Sequence, residues 1–167
     1  MNFNAHKFTN SSFIANKIIK RFSLDATYIN EDSAANSFLK HTWSFDDGHV
    51  DLLKLADEFF NPAGVKFRFF ICPSLIDLWE IGEIESVRSS LIDPNAKLLS
   101  WKDINYLISC GHILGSHGLD HKDFSTLSTA QAVVQFQRSQ ELLNERTDQW
   151  VDTFAFPFGR VDRDLKI

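Results

Sequence analysis

Apolar positions along this chain change period repeatedly. Short runs of strand character are followed by stretches in which Leu, Ile, Val and Phe recur every three or four residues, and that βα alternation predicts a parallel sheet or barrel from residue 37 onward. A first strand is expected at 38–45. Residues 49–60 carry Leu52, Leu53, Leu55, Ala56, Phe59 and Phe60 as a wide helical stripe, which Asn61-Pro62-Ala63-Gly64 stops. A second strand at 65–72 ends against Pro73. Residues 75–91 have helical spacing only in places, up to a turn at Asp93-Pro94-Asn95.

Further along, Ser100-Trp101-Lys102-Asp103 reads as a capping box opening a helix that buries Ile104, Leu107 and Ile108 and closes at Gly111. A third strand follows at 112–116. A second capping box, Ser128-Thr129-Ala130-Gln131, opens a long helix with Val133, Phe136 and Leu143 inward. Residues 153–156 complete the pattern as a fourth strand. The expected organisation is a polar lead-in at 1–36 and one domain at 37–167.

Composition narrows the partners. The 167 residues, 44% hydrophobic and 23% charged, suit one globular core. A net charge of −5 argues against a nucleic-acid groove. No apolar run approaches the ~18 residues of a membrane span. The longest apolar run near the N-terminus, Phe13-Ile14-Ala15, is too short for a secretion signal, so the chain is expected in the cytoplasm. Cys72 and Cys110 lack metal-ligand spacing and are expected to be reduced.

The candidate chemistry lies where strands end. Ser44-Phe45-Asp46-Asp47-Gly48-His49 closes the first strand with adjacent carboxylates and a glycine that permits a turn. Side chains of successive strand residues point to opposite faces, so the two aspartates can serve one object only past the strand's end. Held close, they repel unless a cation lies between them. The ordinary alternative is a helix cap at a loop. After the third strand, Gly115-Ser116-His117-Gly118-Leu119-Asp120-His121 sets two imidazoles four residues apart. That spacing predicts both on one helical face, able to ligate one metal ion. The ordinary alternative there is a pair of surface or capping histidines.

These stretches resemble the polysaccharide deacetylase family, the NodB-homology domain of carbohydrate esterase family 4. Ser44-Phe45-Asp46-Asp47-Gly48 is similar to its Thr/Ser-Phe-Asp-Asp-Gly motif. His117-Gly118-Leu119-Asp120-His121 is similar to His-Ser/Thr-x-x-His, and Phe154-Ala155-Phe156-Pro157-Phe158-Gly159 to the third motif, usually Arg-x-Pro-Tyr. The resemblance implies an α/β fold, a distorted (β/α) barrel of about seven strands, of which this chain carries about four and is incomplete at its C-terminus. It implies Asp47, His117 and His121 as ligands of a divalent metal, with zinc the default and cobalt, nickel or iron the alternatives. Asp46 becomes the general base, and the Phe158 backbone N–H, flanked by Pro157 and Gly159, faces the oxyanion. The implied substrate is an N-acetylated sugar or glycan.

Departures from the pattern accompany it. Ala155 stands at the arginine position, Phe158 at the tyrosine and Gly118 at the Ser/Thr. The later aspartate and Leu-x-His motifs have no counterpart; His41 and His49 are the nearest histidines that could replace the missing acid. The alternative readings are a linear- or cyclic-amide hydrolase on the same fold, and a metal- or sugar-binding chain without turnover. The oligomeric state is left open by the sequence.

Overall fold

The computed structural model describes residues 43–91 and 95–161. The proposed lead-in, the first part of the first expected strand, His41 and the Asp93-Pro94 turn lie outside the described residues. Three parallel strands, β1 (Trp43–Phe45), β2 (Phe67–Ile71) and β3 (Ile113–Ser116), form a sheet in the order β1-β2-β3. Parallel register pairs Phe45 with Phe69 and Phe69 with Leu114, so rows of apolar side chains share one face. That face holds Trp43, Phe45, Phe67, Phe69, Ile71 and Leu114, all buried, because helices cover it. The opposite face carries Ser44, Arg68, Ile113 and Gly115 in register, with Arg68 and Ile113 exposed.

Helix α1 (Asp51–Leu55) does not run on to residue 60 as an α-helix. It widens into a π-helical turn at Ala56–Phe60, closed by Asn61 N–H donating to the Ala56 carbonyl at 2.8 Å. The turn leaves Phe59 half-buried and Phe60 fully buried, the latter with ring centroids 5.4 Å from Trp43, 5.8 Å from Phe45 and 4.9 Å from Phe67. Truncating such a hub to alanine costs about 3 to 5 kcal/mol.

The stretch 75–91 resolves into α2 (Pro73–Glu80), with proline at its first position, and α3 (Ile84–Ser90), which buries only Val87. One buried position makes no stripe, which is why periodicity left the segment unreadable. Helix α4 (Trp101–Ser109) and helix α5 (Thr129–Arg146) both start on the expected reciprocal capping boxes, Ser100 with Asp103 and Ser128 with Gln131. Both pack against β3, α5 also against α2.

The expected fourth strand is a correction. Residues 153–156 make one parallel bridge, Ser116 to Phe154, through Ser116 N–H to the Thr153 carbonyl and Ala155 N–H to the Ser116 carbonyl, each 2.9 Å. The chain then enters a 3₁₀ turn at Pro157–Gly159, where proline offers no N–H to a ladder.

Candidate metal centre

β1 and β3 are parallel and finish at the same, carboxyl end of the sheet, and the candidate residues follow both strands. Asp46 and Asp47 follow Phe45, while His117 follows Ser116 and is anchored by its N–H on the Ile71 carbonyl at 2.9 Å. The turn after β1 needs left-handed backbone at Asp47 (φ 69) and Gly48 (φ 66). A Cβ on Gly48 would lie 2.7 Å from Ile71 Cγ2, so this turn sits directly on β2. Helix α1 begins only at Asp51, with Val50 as its N-cap and no side-chain cap, which removes the capping explanation of the two aspartates.

The histidine pair meets by a different route from the one that its spacing predicted. Residues 117–121 are not helical. Gly118 (φ 82) and His121 (φ 62) curl the segment back on itself, and positive φ at Gly118 breaks any helix at its first turn. The rings nevertheless lie with centroids 5.2 Å apart.

Ligand atoms of Asp47, His117 and His121 fall within 4.8 Å of one another. Asp47 Oδ1 is 3.1 Å from His121 Nε2 and 3.5 Å from His117 Nε2. Two atoms each about 2.0 to 2.1 Å from one tetrahedral ion lie about 3.3 Å apart, so these separations suit a shared cation. All three residues are buried, at 7%, 2% and 4% exposure respectively.

Backbone carbonyls set the tautomers. His117 Nδ1 lies 2.8 Å from the Ala155 carbonyl and His121 Nδ1 lies 2.8 Å from the Ser90 carbonyl; a carbonyl only accepts, so both Nδ1 atoms carry hydrogen. In the neutral rings both Nε2 lone pairs then face Asp47 Oδ1, itself buried with no hydrogen-bond donor. Three electron-rich atoms converging in a buried place require positive charge between them. A second proton on His121 is one way to supply it, and a divalent metal on one carboxylate and two imidazoles is the other; the donor set fits zinc and its neighbours.

The electrostatics agree. Burial alone would raise the Asp47 carboxyl, but the His121 hydrogen bond and the His117 and His121 charges outweigh it and hold the carboxyl below its ordinary value. Burial dominates at His117 and lowers it, despite the opposing charges of Asp46 and Asp47. At His121 burial is overcome by Asp47, and the pKa rises. Cys72 is no ligand: its thiol donates to the His117 carbonyl at 2.9 Å, and burial pushes it well up.

Around this triad the structure places the other expected residues. Asp46 is buried directly after β1, and its charge acts on both histidines. Pro157 is buried, and Phe158 is 41% exposed with its ring 4.7 Å from His121. Gly159 follows it at the exposed rim of the turn. Among the described residues the non-glycine positions with positive φ are Asp47, His121 and Phe158, all in this one place. Left-handed backbone outside glycine is costly and collects where a site demands it. His49 is buried in an antiparallel bridge with Leu98.

Sequence reasoning missed the carbonyls of Ser90 and Ala155, which carry no side-chain signal. It also missed Gln135 and Ser139, whose signal was available as polar residues four apart on the apolar side of α5.

A search of curated proteins returned no match. Among solved structures, the chain is similar to Streptococcus pyogenes deacetylase PplD in complex with acetate, at TM-score 0.59 and 17% identity, covering 93% of this chain and 57% of that one. IcaB from Ammonifex degensii is similar at TM-score 0.57 and 16% identity, over 94% and 61%. The wild-type BA3943 of Bacillus anthracis, described as a carbohydrate esterase family 4 pseudoenzyme, is similar at TM-score 0.52 and 17% identity, over 76% and 39%. The chain thus spans 57%, 61% and 39% of these relatives' lengths. The family model for polysaccharide deacetylase matches residues 39–166. With that match over most of its length, and a fold shared with those relatives, this chain belongs to the polysaccharide deacetylase family.

Proposed function

We propose that this chain is a metal-dependent hydrolase that removes the N-acetyl group from an N-acetylated sugar or glycan. Asp47, His117 and His121 hold a divalent metal, zinc by default. The observation that carries the reading is the convergence of two imidazole Nε2 atoms, at 3.1 and 3.5 Å, on the one buried oxygen Asp47 Oδ1. When bound, the metal supplies Lewis-acid chemistry, making water more acidic and an amide carbonyl more electrophilic.

The remaining work belongs to the chain. Asp46, beside the triad, takes the proton from the attacking water at its carboxylate. Addition of water oxygen to the amide carbon and cleavage of the C–N bond yield acetate and an amine, which receives a proton in turn. The Phe158 N–H donates to the oxygen that becomes negative during addition. The Phe158 ring, lying against His121 and partly exposed, forms one wall of the approach. His49 is the described histidine, outside the triad, whose charge acts on Asp47, and it is the available candidate for protonating the amine.

A second reading is metal binding without turnover. Ala155 at the arginine position favours it.

Zinc titration by calorimetry together with acetate release from an N-acetylglucosamine oligomer tests both. Zinc uptake with acetate release supports the hydrolase, and zinc uptake without release supports the second reading. Absence of zinc uptake removes both. Release of acid from a linear or cyclic amide, with none from the sugar, would move the substrate to that class.

A further inference from the structure

The buried face of α5 carries Ala132, Gln135, Ser139 and Leu143. A helix packed on a sheet for burial alone has no use for two polar side chains in that stripe. Their partners explain them. Gln135 Oε1 accepts the Leu119 N–H at 2.9 Å, inside the curl that separates His117 from His121. Ser139 Oγ donates to the Phe136 carbonyl at 2.8 Å, which leaves its lone pair to accept from Ser116 Oγ at 2.6 Å. Ser116 Oγ in turn accepts the Gly118 N–H at 3.2 Å. Every hydroxyl proton in this relay has one direction, from the loop to α5.

Both loop N–H groups therefore end on α5, one directly and one through Ser116. Gly118 has no side chain with which to brace its own loop. A Cβ there would meet Phe124 at 3.3 Å and Gln135 Oε1 at 3.7 Å, so α5 also bounds the loop sterically. The curl is left-handed at Gly118 and His121 and has no helical ladder of its own to hold it.

We propose that Gln135 and Ser139 are positioning residues for the metal centre: they hold the curl between His117 and His121 at the separation at which both Nε2 atoms reach one ion. The proposal rests on the metal-centre reading above. It assigns to α5 a role in metal affinity that neither residue's burial requires.

The test uses the full chain and zinc. Gln135→Leu and Ser139→Ala are each expected to weaken zinc binding by about 10- to 100-fold, as loss of an outer partner of a ligand does. Gln135→Glu keeps an acceptor for Leu119 N–H and is expected to recover most of that loss. Leu143→Ala, on the same buried face but away from the loop, loosens α5 and is expected to leave zinc affinity unchanged. Cobalt-loaded Gln135→Leu should show a changed visible d–d spectrum, which a purely structural role would not produce. Wild-type zinc affinity in folded Gln135→Leu overturns the proposal, and so does an equal loss in Leu143→Ala. If Gln135→Leu does not fold, Ser139→Ala decides: weakened zinc binding supports the role and unchanged affinity overturns it. A wild-type chain that takes up no zinc overturns the metal centre and this proposal together, an outcome distinct from wild-type binding that the variants share.

Discussion

β3 has a buried histidine at each end, and the two ends use the same side chain for opposite purposes. His112, just before the strand, stacks on Phe67 at 3.7 Å between centroids, accepts the Phe67 N–H on Nδ1 at 3.3 Å and faces Asn61 Oδ1 with Nε2 at 3.2 Å. A donor meets one nitrogen and an acceptor the other, so the neutral ring is complete and buried within an aromatic cluster. His117, just after the strand, gives its Nδ1 hydrogen to a carbonyl, and its Nε2 meets a carboxylate oxygen that also faces His121. Here the lone pairs have no proton to share unless another cation arrives. What separates a structural histidine from a candidate ligand is therefore the group its second nitrogen faces, and burial is equal at both ends.

The comparison breaks first at Asp47. Asp47→Asn replaces the shared carboxylate with a neutral amide and should abolish zinc binding and any turnover; zinc at about a hundred times its dissociation constant should stabilise the wild type by about 2.7 kcal/mol and this variant not at all, read by thermal melting. Asp46→Asn should keep zinc affinity while acetate release falls about 10² to 10⁴-fold. Equal zinc affinity in the two variants would return both aspartates to an ordinary turn.

At the other end the effect is on stability. Burial, with the Lys66 charge adding to it, lowers His112 from 6.5 to about 4. The fold keeps this ring neutral while the unfolded chain takes up a proton as pH falls below its ordinary value. Its contribution is therefore complete above about pH 6.5 and lost toward pH 4, about 3 kcal/mol in all. Urea midpoints of zinc-free protein across that range should slope, and His112→Gln should flatten the slope.

The smallest expected effect joins the two ends. Gly48→Ala places a Cβ 2.7 Å from Ile71 Cγ2 at φ 66, which should cost about 1 to 3 kcal/mol in urea unfolding and weaken zinc binding by displacing Asp47. An alanine variant as stable as the wild type would mean that the turn after β1 has room to relax.

Helix starts were legible because capping is local: Ser100 with Asp103 and Ser128 with Gln131 needed only three residues of context. β2 and β3 were legible to within two residues from apolar runs that ended in Pro73 and His117. The candidate ligands were legible as residue types past strand ends, since adjacent carboxylates and paired imidazoles are rare enough together to stand out. The fourth strand failed because Pro157 and a left-handed Phe158 follow it, and a strand's length depends on what its neighbour can pair. The helical arrangement of the histidines failed because spacing of four is satisfied equally by a curl, once other elements supply partners for its N–H groups.

By itself, then, the sequence determined the alternation of elements, the caps and the identity of the groups that gather at the carboxyl end of the sheet, all of which follow from interactions between near neighbours. Only the tertiary structure decided which histidines face a carboxylate and which face an amide. That depends on the Ser90, Ala155 and Phe67 backbones and on Gln135 and Ser139, brought from as many as 45 residues away along the chain. Backbone carbonyls and N–H groups are alike in every residue, so nothing in a side-chain pattern announces which of them will set a tautomer.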